Sequence, residues 1–196
     1  MHVNSSGFDP SLFHDDDGRS WFLNMQWDHR PGHDPFCGIL LQEWDRETQR
    51  LKGPVHRIFT GTSLGVVEGP HLYKRDGWYY LITAEGGTGW NHGVTMARSR
   101  DLHGPYELHP EQSILSARNR PDAPLQRAGH AVVEQFRHRP AAVRNHGRPA
   151  RERFDDDDVG GALLELLAAN PLIHSRPVEV VRVLARDGNR ERPQLT

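Results

Sequence analysis

Three residues with acid–base side chains recur along the sequence at intervals close to 60 positions. Asp9 and Glu68 lie 59 positions apart, and His130 follows Glu68 after a further 62 positions. Glu68 is the better candidate for an acid, because Val66 and Val67 precede it and Gly69-Pro70 restricts the chain after it. Partial burial and a second negative charge, which Asp9 would supply, both raise the pKa of a carboxyl group.

A carboxyl group that keeps its proton near neutral pH, beside a carboxylate that stays ionised, suits the hydrolysis of glycosidic bonds. The pair Asp9 and Glu68 therefore predicts acid–base chemistry on a sugar. The spacing is equally consistent with two ordinary turn carboxylates at the start of strands, so the elements around them must decide between these interpretations.

Those elements form two repeats with the period-two patterning of strands. The predicted strands cover residues 11–14, 19–27 and 38–44 in the first repeat and residues 71–74, 78–84 and 94–99 in the second. Asp76-Gly77 marks a hairpin, because glycine tolerates the positive φ that such turns require. A third unit begins at Ala128. Units of about 60 residues with several short strands each are typical of β-propeller blades.

The first strand of every propeller blade lines the central axis, so the residues that begin those strands meet at one end of the axial channel. This geometry predicts that Asp9, Glu68 and His130 lie together although they are far apart in sequence. The expected fold class is all-β.

Seven motifs occur in a fixed order: Gly7–Asp15, Leu23–Arg30, Glu68–Tyr73, Leu81–Thr88, Ala97–Ser99, Gly104–Glu107 and Gln126–Ala131. Together they resemble glycoside hydrolase family 43, in its β-xylosidase branch, over roughly residues 4–133. The resemblance implies a partial five-bladed β-propeller over residues 1–133, with about two blades and the start of a third. It further implies that Glu68 is the general acid and that Asp9 orients the acid and tunes its pKa.

The resemblance also suggests residues that contact the substrate. His130 resembles an axial histidine that approaches the sugar or, in some family members, a bound calcium ion through water. Trp27 and Arg30 lie in a stretch that resembles the segment before a loop at the pocket rim. Trp27 and Trp90, near predicted loop ends, are candidates for stacking on sugar rings. No cofactor and no directly bound metal are expected.

The implied activity is inverting release of xylose from the non-reducing end of xylo-oligosaccharides. Arabinose-containing oligosaccharides are the alternative substrates, which would make the parent an α-L-arabinofuranosidase. Inversion needs a carboxylate base that activates water on the opposite face of the sugar. The family motif for that base has no counterpart in this sequence, so a non-catalytic gene remnant is the second alternative.

Residues 134–196 depart from the family pattern and are rich in arginine and proline. They predict an irregular, partly disordered tail with an acidic run at Asp155–Asp158 and a short helix over Ala162–Ala169.

Composition excludes several other classes. The 196 residues carry 24 basic and 26 acidic side chains and a net charge of −2, which disfavours nucleic-acid binding. No apolar run is long enough to span a membrane. Cys37 is the single cysteine, and with no secretory leader in the sequence it indicates a cytoplasmic protein. Gly61–Gly65 matches a nucleophile elbow, but Gly69-Pro70 opposes the helix that such an elbow needs.

Overall fold

The computed structural model describes residues 5–122, 126–135 and 181–186. The chain divides into two compact units, one of residues 1–131 with 185–196 and one of residues 132–184. No helix in the described ranges has the length and apolar character needed to cross a membrane. The acidic run at 155–158 and the helix predicted over 162–169 lie outside the described residues, and the predicted boundary near residue 134 stays a prediction.

Among its described residues, the first unit contains two antiparallel sheets of four strands each. Sheet A contains β1 (Phe8–His14), β2 (Ser20–Trp27), β3 (Phe36–Asp45) and β4 (Arg50–Phe59), in that order. Sheet B contains β5 (Glu68–Arg75), β6 (Trp78–Glu85), β7 (Gly93–Ser99) and β8 (Glu107–Ser116), in that order. A further strand, β9 (Gly129–Gln135), pairs with β10 (Val181–Arg186). The described residues thus confirm the all-β prediction of two blades and the start of a third.

The fourth strand of each sheet was missed by the sequence analysis. Most side chains of β4 and half of those of β8 are exposed, and neither strand alternates regularly between buried and exposed positions. A strand with water on both faces carries no period-two signal, so its sequence does not distinguish it from a loop. β10 was also not predicted, and it replaces part of the irregular tail expected there.

The apolar core lies between the two sheets, where β1, β2 and β3 contact β5. Its fully or nearly fully buried side chains include Leu23, Met25 and Leu41 from sheet A, and Val67 and Leu81 from sheet B or the segment before it. Burial of each such side chain contributes about 1.5–3 kcal/mol. The relative orientation of β1 and β5, which carry Asp9 and Glu68, is therefore set by this packing.

A β-bulge at the start of each sheet changes the correspondence between the two repeats. Phe8 pairs with Met25 in sheet A and Glu68 pairs with Ala84 in sheet B, and the register shifts directly afterwards in both strands. Glu68 therefore corresponds to Phe8, and the counterpart of Asp9 is Gly69. The φ angles agree, at 55° for Asp9 and 57° for Gly69. Matching Asp9 with Glu68 from the sequence was thus wrong by one residue.

At the other end of β1, a cluster of polar side chains joins the sheets. Lys74 Nζ lies 2.5 Å from Asp15 Oδ1, and the Tyr79 hydroxyl donates a hydrogen bond of 2.7 Å to Asp15 Oδ2. The Asp15 side chain is only 5% exposed. Burial raises the pKa of Asp15, but the hydrogen bonds from Lys74 and Tyr79 outweigh it and the pKa falls below its ordinary value. We call Asp15, Lys74 and Tyr79 the Asp15 cluster.

Replacing Tyr79 by phenylalanine should lower the free energy of unfolding by about 1.5–3 kcal/mol, because a hydrogen bond to a buried carboxylate is lost. Urea denaturation at neutral pH measures the change. Tyr80→Phe is the matched control, since successive side chains point to opposite faces of β6. An equal loss in both variants would contradict the importance of the cluster.

The same cluster predicts a pH dependence. Because the pKa of Asp15 is lower in the folded protein, its contribution to stability is complete above the unfolded pKa, about 3.9. That contribution is lost as the pH falls through the folded pKa. The stability advantage of the parent over Asp15→Asn should therefore narrow in this acidic window, as measured by urea denaturation at several pH values. If the stability difference between the parent and Asp15→Asn grew as the pH fell, the pKa of Asp15 would be raised and not lowered by folding.

Candidate active site

The first strands of three sheets meet at one carboxylate oxygen. Asp9 Oδ2 accepts a hydrogen bond of 3.1 Å from the backbone N–H of Gly69, and it lies 3.1 Å from His130 Nε2. Asp9, Gly69 and His130 belong to β1, β5 and β9, and all three have φ between 55° and 57°. Of the three residues that the sequence placed around a common axis, Asp9 and His130 meet here, whereas Glu68 directly precedes Gly69, the third residue of the contact.

Position 69 leaves no room for a Cβ atom while the His130 ring lies against Asp9. A Cβ atom there would lie 2.7 Å from His130 Cδ2 and 2.8 Å from His130 Nε2, both closer than real contacts allow. The positive φ adds a second constraint, since side chains with a Cβ rarely adopt it. The absence of a side chain at Gly69 is therefore what allows the His130 ring to reach Asp9.

Glu68 lies next to this contact, at the first position of β5 and partly buried. Burial, and then the negative charge of Asp9, raise the pKa of Glu68, whereas the charge of His130 lowers it. The net effect is a raised pKa, so the carboxyl keeps its proton to a higher pH than an exposed glutamate does. This is the property that a general acid needs.

His71 lies in the motif Glu68–Tyr73, but the sequence pattern does not indicate that it is a titratable neighbour of Glu68. It follows the bulge of β5, and its pKa is lowered by burial and by the charge of His130, with an opposing effect of Asp9. Its imidazole therefore favours the neutral form at neutral pH. The short spacing of three residues from Glu68 was the signal in the sequence that could have indicated His71. The bulge between these two residues shifts the register of β5, and the sequence does not reveal it.

The other predicted substrate-binding residues contact different partners. Trp27 ends β2 and packs against Phe36, with ring centroids 5.0 Å apart. Arg30 pairs with Asp28 through Nε at 2.9 Å. Trp90 is 60% exposed, and the guanidinium carbon of Arg127 lies 4.4 Å from its ring centroid. Sugar binding by Trp27, Arg30 and Trp90 stays a prediction.

The described ranges contain no group of three or more histidine, cysteine, aspartate or glutamate side chains that could hold a metal ion. A calcium ion that approaches His130 through water stays a prediction.

A carboxyl group with a raised pKa, held beside a second carboxylate at the axis of propeller blades, has the chemistry of a glycosidase acid. Comparison with known proteins identifies the family. The model of glycosyl hydrolases family 43 matches residues 1–150. The chain belongs to this family, which confirms the resemblance in the motifs.

Two relatives and a solved structure illustrate the match. Xylosidase/arabinosidase 43B of Humicola insolens is 58% identical over 153 residues, which are 78% of this chain and 28% of that protein. A beta-xylosidase of Bacillus subtilis is 47% identical over 161 residues, 81% of this chain and 30% of that protein. The crystal structure of xylan beta-1,4-xylosidase from Bacillus halodurans matches with a TM-score of 0.67 and 53% identity, over 68% of this chain and 26% of that one.

The chain therefore spans less than a third of the length of these relatives. Its described residues form two blades, and the start of a third, of the five-bladed propeller of the family.

The close contact at Gly69 gives a direct test. Gly69→Ala should destabilise the protein and separate His130 from Asp9, because the added Cβ meets the His130 ring. Gly18→Ala is the matched control, since Gly18 also has a positive φ, of 84°, but no atom lies within 4 Å of the added Cβ. Backbone strain alone costs about 1–2 kcal/mol, so thermal denaturation should show a larger loss for Gly69→Ala. Equal losses would show that His130 does not occupy this space.

Proposed function

We propose that this chain carries the general-acid part of a β-xylosidase-type glycoside hydrolase site. The observation that carries the proposal is the placement of the Glu68 carboxyl, which is partly buried at the first position of β5. Burial there and the charge of Asp9 raise its pKa. In this role the Glu68 carboxyl donates its proton to the glycosidic oxygen as the bond to the anomeric carbon breaks. The leaving group departs as a neutral alcohol, and Glu68 becomes a carboxylate.

Asp9 orients this acid as well as tuning it. Gly69 directly follows Glu68, so the hydrogen bond from Gly69 N–H to Asp9 Oδ2 holds the backbone that carries the acid. His130 lies against the same oxygen and moderates the effect of the Asp9 charge on Glu68. Asp9 therefore has two effects on Glu68. Its charge helps to keep the proton on the Glu68 carboxyl, and its hydrogen bond to Gly69 fixes the backbone from which the Glu68 side chain extends.

Inversion requires a second carboxylate on the opposite face of the sugar, about 6.5–9.5 Å from the acid. Among the described residues, Asp9 is the carboxylate whose charge acts on Glu68, and its Oδ2 is occupied by Gly69 and His130. We assign the base to a part of the protein outside the described residues. The names of the relatives, xylosidase/arabinosidase and beta-xylosidase, support xylo-oligosaccharides as substrates and an arabinofuranoside as the second substrate to test.

The acid assignment predicts the titration of Glu68. In the parent, ¹³C NMR of labelled glutamate side chains should give Glu68 a pKa above 4.5, and Asp9→Asn should lower it because the neighbouring charge is removed. Loss of the signal in Glu68→Gln identifies it. An ordinary pKa in the parent, or no response to Asp9→Asn, would contradict the proposed role.

Hydrolysis tests the activity itself. With xylobiose, whose leaving hydroxyl needs protonation, Glu68→Gln should lower kcat/KM by about 10²–10⁴-fold. The loss should be smaller with an aryl xyloside that has an acidic phenol as its leaving group, because such a group needs less protonation.

The control variant is Glu111→Gln, at an exposed position of β8. Hydrolysis of an aryl α-arabinofuranoside tests the second substrate. If the parent has a raised Glu68 pKa but hydrolyses neither substrate, the chain contains the general acid without a functional base. That result would support the non-catalytic copy.

A further inference from the structure

The segment that leads into Glu68 is held from the side by the second strand of sheet B. We call residues 60–67, between β4 and β5, the blade linker. Gly65 O accepts a hydrogen bond of 2.8 Å from the backbone N–H of Gly86. Three residues earlier, the backbone N–H and hydroxyl of Thr62 both donate to Oε2 of Glu85, at 2.9 and 2.5 Å. The end of β6 therefore holds the linker at two points.

Glu85 is a carboxylic acid at a position where water does not reach its side chain. Its side chain is completely buried, and burying a carboxylate is costly unless it is fully hydrogen-bonded. Both donors from Thr62 reach the same oxygen, and Oε1 has no hydrogen-bond partner among the described residues. The carboxylate thus gains less than its full set of hydrogen bonds, and those it gains all go to the linker.

Thr62 passes this restraint on to the rest of the linker. Its hydroxyl accepts a hydrogen bond of 3.2 Å from the backbone N–H of Leu64, and its carbonyl accepts one of 3.1 Å from Gly65. The turn from Thr62 to Gly65 is therefore closed on itself as well as tied to β6. Val67 follows in the apolar core, 1% exposed, and Glu68 comes next. The backbone has little freedom between the anchored turn and the acid.

Sheet A holds the segment before Asp9 in the same way. Asn24, buried in β2, accepts a hydrogen bond of 3.0 Å from the Ser5 hydroxyl and donates to Ser6 O. Ser5 stands three residues before Phe8, the counterpart of Glu68, as Gly65 stands three residues before Glu68. In both blades, the second strand therefore anchors the chain just before a carboxylate at the axis.

We propose that Glu85 is a positioning residue for Glu68, acting through its two hydrogen bonds to Thr62 of the blade linker. The inference rests on the proposed function of Glu68 as the acid. Loss of these bonds frees the linker, so Glu68 becomes more exposed and moves relative to Asp9 and His130, the titratable groups that act on it. The Gly69–Asp9 hydrogen bond, which depends on the same backbone, weakens with it.

The experiment compares Glu85→Ala with Glu85→Gln in the full chain. The alanine variant loses both hydrogen bonds, whereas the amide oxygen of glutamine can accept both, because both reach one oxygen. In Glu85→Ala the NMR pKa of Glu68 should fall toward its ordinary value. Hydrogen exchange at the Gly69 N–H should become roughly 5- to 30-fold faster, the factor for about 1–2 kcal/mol. Glu85→Gln should restore both properties.

Tyr79→Phe is the control for a loss of stability alone, since Tyr79 joins the sheets through Asp15 and not through the linker. It should lower the melting temperature without moving the Glu68 titration. If Glu85→Ala does not fold, Thr62→Val removes the hydroxyl donor, keeps the N–H donor, and should shift both readouts in the same direction by less.

An unchanged Glu68 pKa and unchanged Gly69 exchange in a folded Glu85→Ala would overturn the inference. A glutamine variant that behaves like alanine would do the same. An ordinary Glu68 pKa in the parent would contradict the proposed function instead. In that case faster Gly69 exchange in Glu85→Ala would still show that Glu85 holds the strand.

Discussion

The hydrogen bonding of one carboxylate oxygen, Oδ2 of Asp9, is the constraint on which the site depends. It receives the backbone N–H of Gly69 and lies beside His130, so three first strands must approach one another within hydrogen-bond distance. That approach requires a residue without a Cβ at position 69. It also places the Asp9 charge where it raises the pKa of Glu68. In the proposed function, the orientation of Glu68 and the control of its proton are thus consequences of the same contact.

Polar anchors at two levels support this contact, and apolar packing lies between them. The Asp15 cluster joins the sheets at the far end of β1. Near the axis, Asn24 and Glu85 hold the segments that lead into Asp9 and Glu68. The core side chains supply most of the burial energy, but apolar contacts are not directional. Hydrogen bonds at the ends therefore determine the direction in which each carboxylate points.

Much of the fold could be predicted because the second strand of each sheet carries a strong pattern. β2 and β6 contain aromatic and aliphatic runs, and the hairpin at Asp76-Gly77 is unambiguous. β4 and β8 could not be predicted, since their exposed faces leave no alternation. The family was readable from ordered motifs, and the comparisons confirm it. His71 and Glu85 stood within those motifs, yet nothing in the residue types assigned them a task.

The sequence by itself determined the fold class, the repeat of about 60 residues and the choice of Asp9, Glu68 and His130. Periodicity and the order of motifs can be read along the linear chain without knowledge of its packing. Only the tertiary structure decided that Gly69, and not Glu68, is the counterpart of Asp9. It also decided that Glu85 reaches the linker. The physical reason for the first is that a bulge displaces the register of a strand by one residue. The reason for the second is that the contact between Glu85 and Thr62 joins two segments far apart in sequence and depends on how both are packed.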